Sequence, residues 1–253
     1  MDGPVLVTGG TGTLGRAVVR RLSADGRAVR VLSRRPRPEG DHGPYDWAIG
    51  DLSTGEGIET AVAGVGAIVH CATMPGRDDV TGTRRLIDAV RRSGNAPHLV
   101  YISIVGVDRV PLPYYRAKLA TERVVMESGL PWTILRATQF HELIARGVDA
   151  QRLLPVALAL GGVSFQPVDA GEVADRLGAL AVAEPAGRVP DMGGPQVRDH
   201  RELTRTTLRA RGRRRPVLPL RLPGATFRGY REGGNLAPDR AVGRITYDVF
   251  LSR

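Results

Sequence analysis

The chain has 253 residues, 42% hydrophobic and 25% charged, which excludes global disorder, and its formal net charge is +10. The excess is local, because residues 198–253 hold 14 basic and 5 acidic groups while residues 1–197 are close to neutral. A single cysteine, Cys71, excludes an internal disulfide and a multi-cysteine metal site, and no apolar run reaches the ~18 residues of a spanning helix.

Met1-Asp2 leads straight into Val5-Leu6-Val7 with neither a basic n-region nor a cleavage site, so no secretory signal is read and a cytoplasmic setting is expected. Short apolar runs follow at Val5–Thr8, Ala28–Leu32, Trp47–Gly50, Ala67–His70, His98–Ser103 and Trp132–Leu135. Several are continuous rather than alternating, as strands buried on both faces should be. Between them lie helical stretches at Leu14–Ala24, Thr81–Arg92 and Tyr115–Ser128, which Gly26, Gly94 and Gly129 bring to a stop. Strands alternating with helices predict right-handed crossovers and an open, doubly wound parallel sheet of the α/β class. Beyond Leu135 the pattern loosens. Glu142–Leu160 reads as helical with a break at Pro155, Ala170–Ala183 and Asp199–Arg209 read as helices, and Ala241–Leu251 as a short amphipathic helix. No long linker marks a second independent domain. The expectation is a single domain, with a core over about 1–137 and a small part over about 138–253 that covers the carboxyl ends of the strands.

Directly after the first strand stands Thr8-Gly9-Gly10-Thr11-Gly12-Thr13-Leu14-Gly15. Gly9 permits a tight turn, Gly12 lets backbone approach a pyrophosphate, and Gly15 allows helix to pack closely on strand. The start of the helix, with Thr13 and Leu14, then offers amide N–H groups and a positive dipole end to phosphate. Glycine spacing alone is weak among 32 glycines, but its place between a strand and a helix is the confirming context.

The second strand ends Val31-Leu32-Ser33-Arg34-Arg35, without the carboxylate that reads the ribose of NAD. A hydroxyl and two guanidinium groups suit a 2′-phosphate, so NADP(H) is the expected cofactor; the plainer reading is two solvated arginines. Asp51 and Leu52 follow the third strand, where adenine would lie. Cys71, Ala72 and Thr73 follow the fourth and would line the nicotinamide side.

Of 36 basic residues, 35 are Arg and one, Lys118, is Lys. It stands four residues after Tyr114, so on a helix both project from one face. An ammonium beside a phenol favours the phenolate and lowers its pKa, and the same lysine can hydrogen-bond the nicotinamide ribose. Tyr115 faces away and is the weaker candidate. Ser103, at the end of the fifth strand, offers a hydrogen bond to a substrate carbonyl, or simply a local one.

The glycine loop, Ser103 and the Tyr114–Lys118 pair resemble the short-chain dehydrogenase/reductase superfamily. The stretch Tyr114–Phe140, with Ser128-Gly129-Leu130-Pro131-Trp132-Thr133-Ile134-Leu135-Arg136-Ala137-Thr138-Gln139-Phe140, is similar to its NmrA-like, atypical branch. So is Gln166-Pro167-Val168-Asp169 followed by Glu172-Val173-Ala174. The resemblance implies a Rossmann fold, NADP(H) binding and often reduction of quinones or carbonyls. Some NmrA-like proteins instead bind NADP(H) as redox sensors and turn nothing over.

Phe140, His141, Phe165 and Gln166 are expected to line a substrate pocket, because ligands in open α/β sheets bind beyond the carboxyl ends of the strands. The five histidines show no metal-ligand spacing, so no metal is expected, and His70 and His98 read as satisfied core histidines. The basic run Arg209–Pro216 has no interleaved aromatic residue and reads as a solvated loop or a contact for an acidic partner; no nucleic-acid or membrane partner is expected. The leading expectation is an NADP(H)-dependent oxidoreductase acting on a carbonyl or quinone, as a monomer or homodimer. The alternative is a non-catalytic NADP(H)-sensing regulator that acts through a protein partner.

Overall fold

A computed structural model describes residues 3–74 and 76–253, except the side chain of Arg77. Met1 and Asp2, where the reading of the N-terminus began, lie outside the described residues. In chain order the first elements are Val5–Thr8 (β1), Thr13–Ala24 (α1), Val29–Ser33 (β2), Asp46–Ile49 (β3), Ile58–Val62 (α2), Ala67–His70 (β4), Arg77–Arg92 (α3), His98–Ile104 (β5), Pro113–Met126 (α4) and Trp132–Ala137 (β6). Then come His141–Asp149 (α5), Ala157–Leu160 (β7), Ser164–Phe165 (β8), Ala170–Ala181 (α6), Gly187–Arg188 (β9), Arg198–Asp199 (β10), His200–Ala210 (α7), Val217–Leu220 (β11), Ala225–Arg231 (α8) and Tyr247–Leu251 (α9).

Seven strands form one parallel sheet in the order β3-β2-β1-β4-β5-β6-β9. Val5 of β1 is registered with Val29 of β2 on one side and Ala67 of β4 on the other, so strand order reverses at β1. A crevice at the carboxyl ends of β1 and β4 is the geometric consequence. The two strands that flank it are buried at every position, which is why they are continuous apolar runs. At the sheet edge β3 is only half-buried. Helix α1 buries Leu14, Val18, Val19 and Leu22, a helical stripe, and each such side chain contributes about 1.5–3 kcal/mol. Helix α3 carries Asp78 and Asp79 in its first turn and Arg91 and Arg92 in its last, the charge order its dipole favours.

The chain packs as two compact units. The first comprises Met1–Ser103, Arg116–Leu135 and Val173–Val189, and its core is built on Leu6, Ile68, Leu86, Leu99 and Ile134. The second comprises Ile104–Tyr115, Arg136–Glu172 and Pro190–Arg253. There Ile144, Val163, Phe165, Leu203 and Tyr247 form one cluster, and Val148, Ala157, Ala159, Leu208 and Val217 another.

The main departure from the predicted elements lies in Glu142–Leu160. Helix α5 stops at Asp149, and residues 157–160 are instead a strand paired with β11 in the register Ala157↔Val217. Pro155 lacks the N–H a helix would need, and the Gln151 side-chain amide takes both polar groups of Leu158, accepting its N–H at 2.7 Å and donating to its carbonyl at 3.3 Å. Similarly, the predicted helix over Ala241–Leu251 begins only at Tyr247, where the Thr246 hydroxyl caps Val249 N–H.

Candidate functional site

The glycine loop turns sharply after β1. Gly12 N–H donates to the Gly9 carbonyl at 2.9 Å, and Gly9 sits at φ +67°. A Cβ on Gly9 would stand 2.7 Å from Ala72 N, so this loop and the loop after β4 meet backbone to backbone. A Cβ on Gly15 would overlap the Gly9 carbonyl oxygen, which is why the helix can start so close to the strand. Among the described residues no side chain caps α1 and no acid sits in its first turn, so the positive end of its dipole meets the loop without a carboxylate to neutralise it. The cradle fits a pyrophosphate: its floor is glycine backbone, and any side chain would fill it.

Around this loop the ends of four strands enclose a cleft of about 400 Å³, all within the first unit. Gly9, Thr11 and Gly12 come from the β1 turn, and Leu32 and Arg34 from β2. Gly50, Asp51 and Leu52 follow β3, and Cys71, Ala72, Thr73 and Met74 follow β4. Nine of these are expected cofactor residues, brought together from four separate places in the chain. Thr13, Leu14, Gly15, Ser33, Arg35 and Lys118, also expected there, do not line this cleft. The Ser33 hydroxyl instead accepts the Arg35 N–H at 3.2 Å, and the Arg35 carbonyl accepts Trp47 Nε1–H at 2.9 Å, which shapes the end of β2.

On the β3 side, Ser53 donates both its hydroxyl and its amide to Asp51 at 2.7 Å. These bonds, helped by the charges of Arg34 and Arg85, hold the Asp51 carboxyl below the usual carboxylate range. Arg85 of α3 also donates to the carbonyls of Leu52 and Ser53. On the β4 side, burial pushes the Cys71 thiol up to about 12, so it stays protonated at neutral pH.

Beneath the cleft His70 is fully hydrogen-bonded, as a core histidine should be. Thr83 donates its hydroxyl to the Asp79 carbonyl at 2.8 Å, so its oxygen accepts from His70 Nε2 at 2.9 Å. That assigns the proton to Nε2 and leaves Nδ1 to accept the Thr8 hydroxyl at 2.6 Å. Thr8 Oγ1 in turn accepts Ala72 N–H at 3.2 Å. The chain of bonds ties β1, β4 and α3 together with neutral imidazole, and burial lowers the His70 pKa to about 4. His98 bonds Thr133 through Nε2 at 2.8 Å, and its Nδ1 has no partner among the described residues.

The lone lysine is buried. Lys118 Nζ lies 3.5 Å from Asp79 Oδ2, donates to the Tyr101 hydroxyl at 3.1 Å and stands 4.9 Å from the centre of that ring. Burial pulls its pKa down and Asp79 opposes the shift. Asp79 accepts from Met74 N at 2.9 Å through its other oxygen, and so links the lysine to a cleft-lining loop. Tyr114, four residues before Lys118 on α4, is 37% exposed, with its ring centre 6.3 Å from that of Tyr115. Tyr115 is buried, accepts from Gln139 Nε2 at 3.3 Å, and its phenol is raised far above the usual range by burial and by Tyr230. Ser103 is 2% exposed, and its hydroxyl has no hydrogen-bond partner among the described residues.

The four expected pocket residues lie in the second unit. Gln166 is completely buried, donating to the carbonyls of Gly194 and Ala237 and accepting Ala237 N–H at 2.8 Å. His141 donates Nε2–H to the Ile245 carbonyl at 3.0 Å and stacks on Phe250. Phe165 packs against His200 and Tyr230, and the Phe140 backbone bridges to Val168. Asp79, Tyr101 and Met74 were not among the expected residues. Only Asp79 left a trace in the sequence, as an acid at a helix start. Among the described residues no group of His, Cys, Asp and Glu is arranged to hold a metal ion, and no helix is long and apolar enough to cross a membrane.

A family described as NAD(P)H-binding matches residues 9–152. A (4-alkanoyl-5-oxo-2,5-dihydrofuran-3-yl)methyl phosphate reductase from Streptomyces griseus is 31% identical over 219 residues, 83% of this chain and 74% of the reductase. The photosystem II assembly factor Ycf39 of Cyanophora paradoxa is 31% identical over 60% of this chain and 49% of its own length. Across these and a further relative, the matched stretch spans 40–74% of the relative's length. An NADPH-dependent quinone oxidoreductase from Escherichia coli, solved with NADPH, has the same fold at a TM-score of 0.84, with 17% identity over 98% of each chain.

Proposed function

The chain belongs to the NAD(P)H-binding family, in keeping with the NmrA-like branch of the short-chain dehydrogenases/reductases, and on that premise we propose that it is an NADP(H)-dependent reductase of a small carbonyl or quinone. The observation that carries this reading is the cleft itself: a glycine cradle at an uncapped helix start, with Arg34 and no acid at the end of β2. The glycine turn would hold the pyrophosphate, Arg34 the 2′-phosphate, and Asp51 with Leu52 the adenosine side. Bound NADPH supplies a hydride. Ser103, whose buried hydroxyl lacks a protein partner among the described residues, would hydrogen-bond the carbonyl oxygen of the substrate. Tyr114 would deliver the proton that completes the alcohol or hydroquinone, and Lys118 would set the local charge.

Support for substrate reduction comes from the Streptomyces relative, a named reductase that matches most of this chain. Tyr114→Phe and Lys118→Met, measured by NADPH consumption over a quinone and aldehyde panel, test the roles. Both should lose most of their turnover, and wild-type rates in both would rule the assignment out. One observation favours the second reading, a sensor without turnover: the Lys118 ammonium is already engaged by Asp79 and Tyr101. Tight NADPH binding with no oxidation by any acceptor in the panel would select it.

A further inference from the structure

The second unit carries a surface that the cofactor chemistry does not use. Strands β7 and β11 pair in parallel, with Leu158 opposite Leu218 and Leu160 opposite Leu220. The alternate positions Ala157, Ala159 and Val217 are buried against Leu208 of α7, so Leu158, Leu218 and Leu220 occupy the opposite face, while Leu160 packs partly buried against the cluster of Ile144, Val163 and Phe165. Leu158, Leu218 and Leu220 are exposed there, and the turn just before β7 presents Leu153, 86% exposed, and Leu154. Arg215 fixes this turn by donating to the carbonyls of Gln151 and Leu154 at 2.6 and 2.9 Å. Exposed leucines on a strand pair and on the turn that leads into it mark an interaction surface.

Its charge is one-sided. Residues 150–160 and 212–228, which carry the face, contain six arginines and no acid. Arg152, Arg213, Arg214 and Arg221 make no ion pair among the described residues, and Asp149, just before the turn, is taken by Arg211 at 3.2 Å. A second copy of the chain would bring like charges face to face. Strand addition is also disfavoured. The Pro216 and Leu220 carbonyls accept from β7, so Val217 and Pro219 face the free edge, where Pro219 has no N–H to give. On the other side Gln151 already occupies the polar groups of Leu158.

We propose that this leucine face docks on an anionic lipid surface. The leucines would enter the boundary between headgroups and acyl chains, and the unpaired arginines would grip lipid phosphates, for which the guanidinium fork is suited. Such attachment is peripheral and needs no spanning helix.

Vesicle flotation of the full chain tests it, with vesicles of phosphatidylcholine alone or mixed with phosphatidylglycerol. Binding should require phosphatidylglycerol and weaken with salt. Neutralising Arg213, Arg214 and Arg221 to Gln should lower partition about fivefold per arginine. Leu153→Ser and Leu218→Ser should each lower it about tenfold without changing the fold, since both side chains are already in solvent. Arg20→Gln with Arg123→Gln, exposed cations of the first unit, should change little. The proposal is overturned by no binding to the anionic vesicles; by equal loss in the Arg20/Arg123 variant, or none in the leucine variants, which means unspecific attraction to a basic protein; or by a dimer in solution that Leu218→Ser dissociates. Binding of an acidic amphipathic peptide in place of vesicles would likewise reassign the face to a protein.

Discussion

Replacing Asp79 by Asn removes one charge from the buried Lys118 pair while keeping the side chain's shape and its acceptor for Met74 N–H. Lys118 and Asp79 side chains are 3% and 2% exposed, so neither charge has water to fall back on. Stranding one partner of such a pair costs about 3–5 kcal/mol. For a chain of this size that is a fall in melting temperature on the order of 10 °C. The loss should depend on pH with a definite sign. In the variant the folded lysine loses its proton more readily than the unfolded one, whose pKa is about 10.4. The unfolded state then binds more protons, stability rises with pH, and the gap to wild type narrows as pH climbs from 7 towards ~10. Adding Lys118→Met to Asp79→Asn removes the stranded charge and should recover most of the loss. Urea unfolding of wild type, the two single variants and the double variant at several pH values reads all of this. A deficit below about 1 kcal/mol at neutral pH in Asp79→Asn, or one that is flat with pH, would refute the reasoning.

Gly15→Ala would push a methyl into the Gly9 carbonyl; it should cost about 1–3 kcal/mol of stability and weaken NADPH binding at least about tenfold, seen in paired melting and titration experiments. His70, held neutral with a pKa of about 4, leaves the unfolded chain the better proton binder between pH 4 and ~6.5. Stability should fall as pH drops through that window, by about 3 kcal/mol from this group, and His70→Gln should flatten that part of the unfolding curve. Tyr115→Phe should leave the pH profile of turnover unchanged, because its phenol is pushed far out of range, whereas Tyr114→Phe should lose about 100-fold or more.

The parallel sheet was legible because β1, β4 and β5 are apolar on both faces, a pattern that survives any change of partner. The cleft was legible because all but Leu32 of its lining residues follow the strands, and the topology carries those ends to one edge. The Asp79–Lys118–Tyr101 cluster was not. Lys118 and Tyr114 stand one helical turn apart, but sequence spacing carries no record of a carboxylate arriving from another helix. The turn of Gln151–Val156 was hidden for a related reason: a side-chain amide stands in for a strand partner, and β11 lies 60 residues on from β7 in register.

The cleft at the ends of β1 to β4 is proposed to hold NADP(H), with Arg34 selecting the phosphate. Fluorescence titration with NADPH and NADH, in wild type and Arg34→Ala, tests it most directly. Saturable binding with NADPH tighter than NADH is predicted, and Arg34→Ala should reduce that preference by about 10- to 100-fold, as loss of a charge-assisted hydrogen bond does. Tighter binding of NADH, an unchanged preference in Arg34→Ala, or no binding of either nucleotide would contradict it.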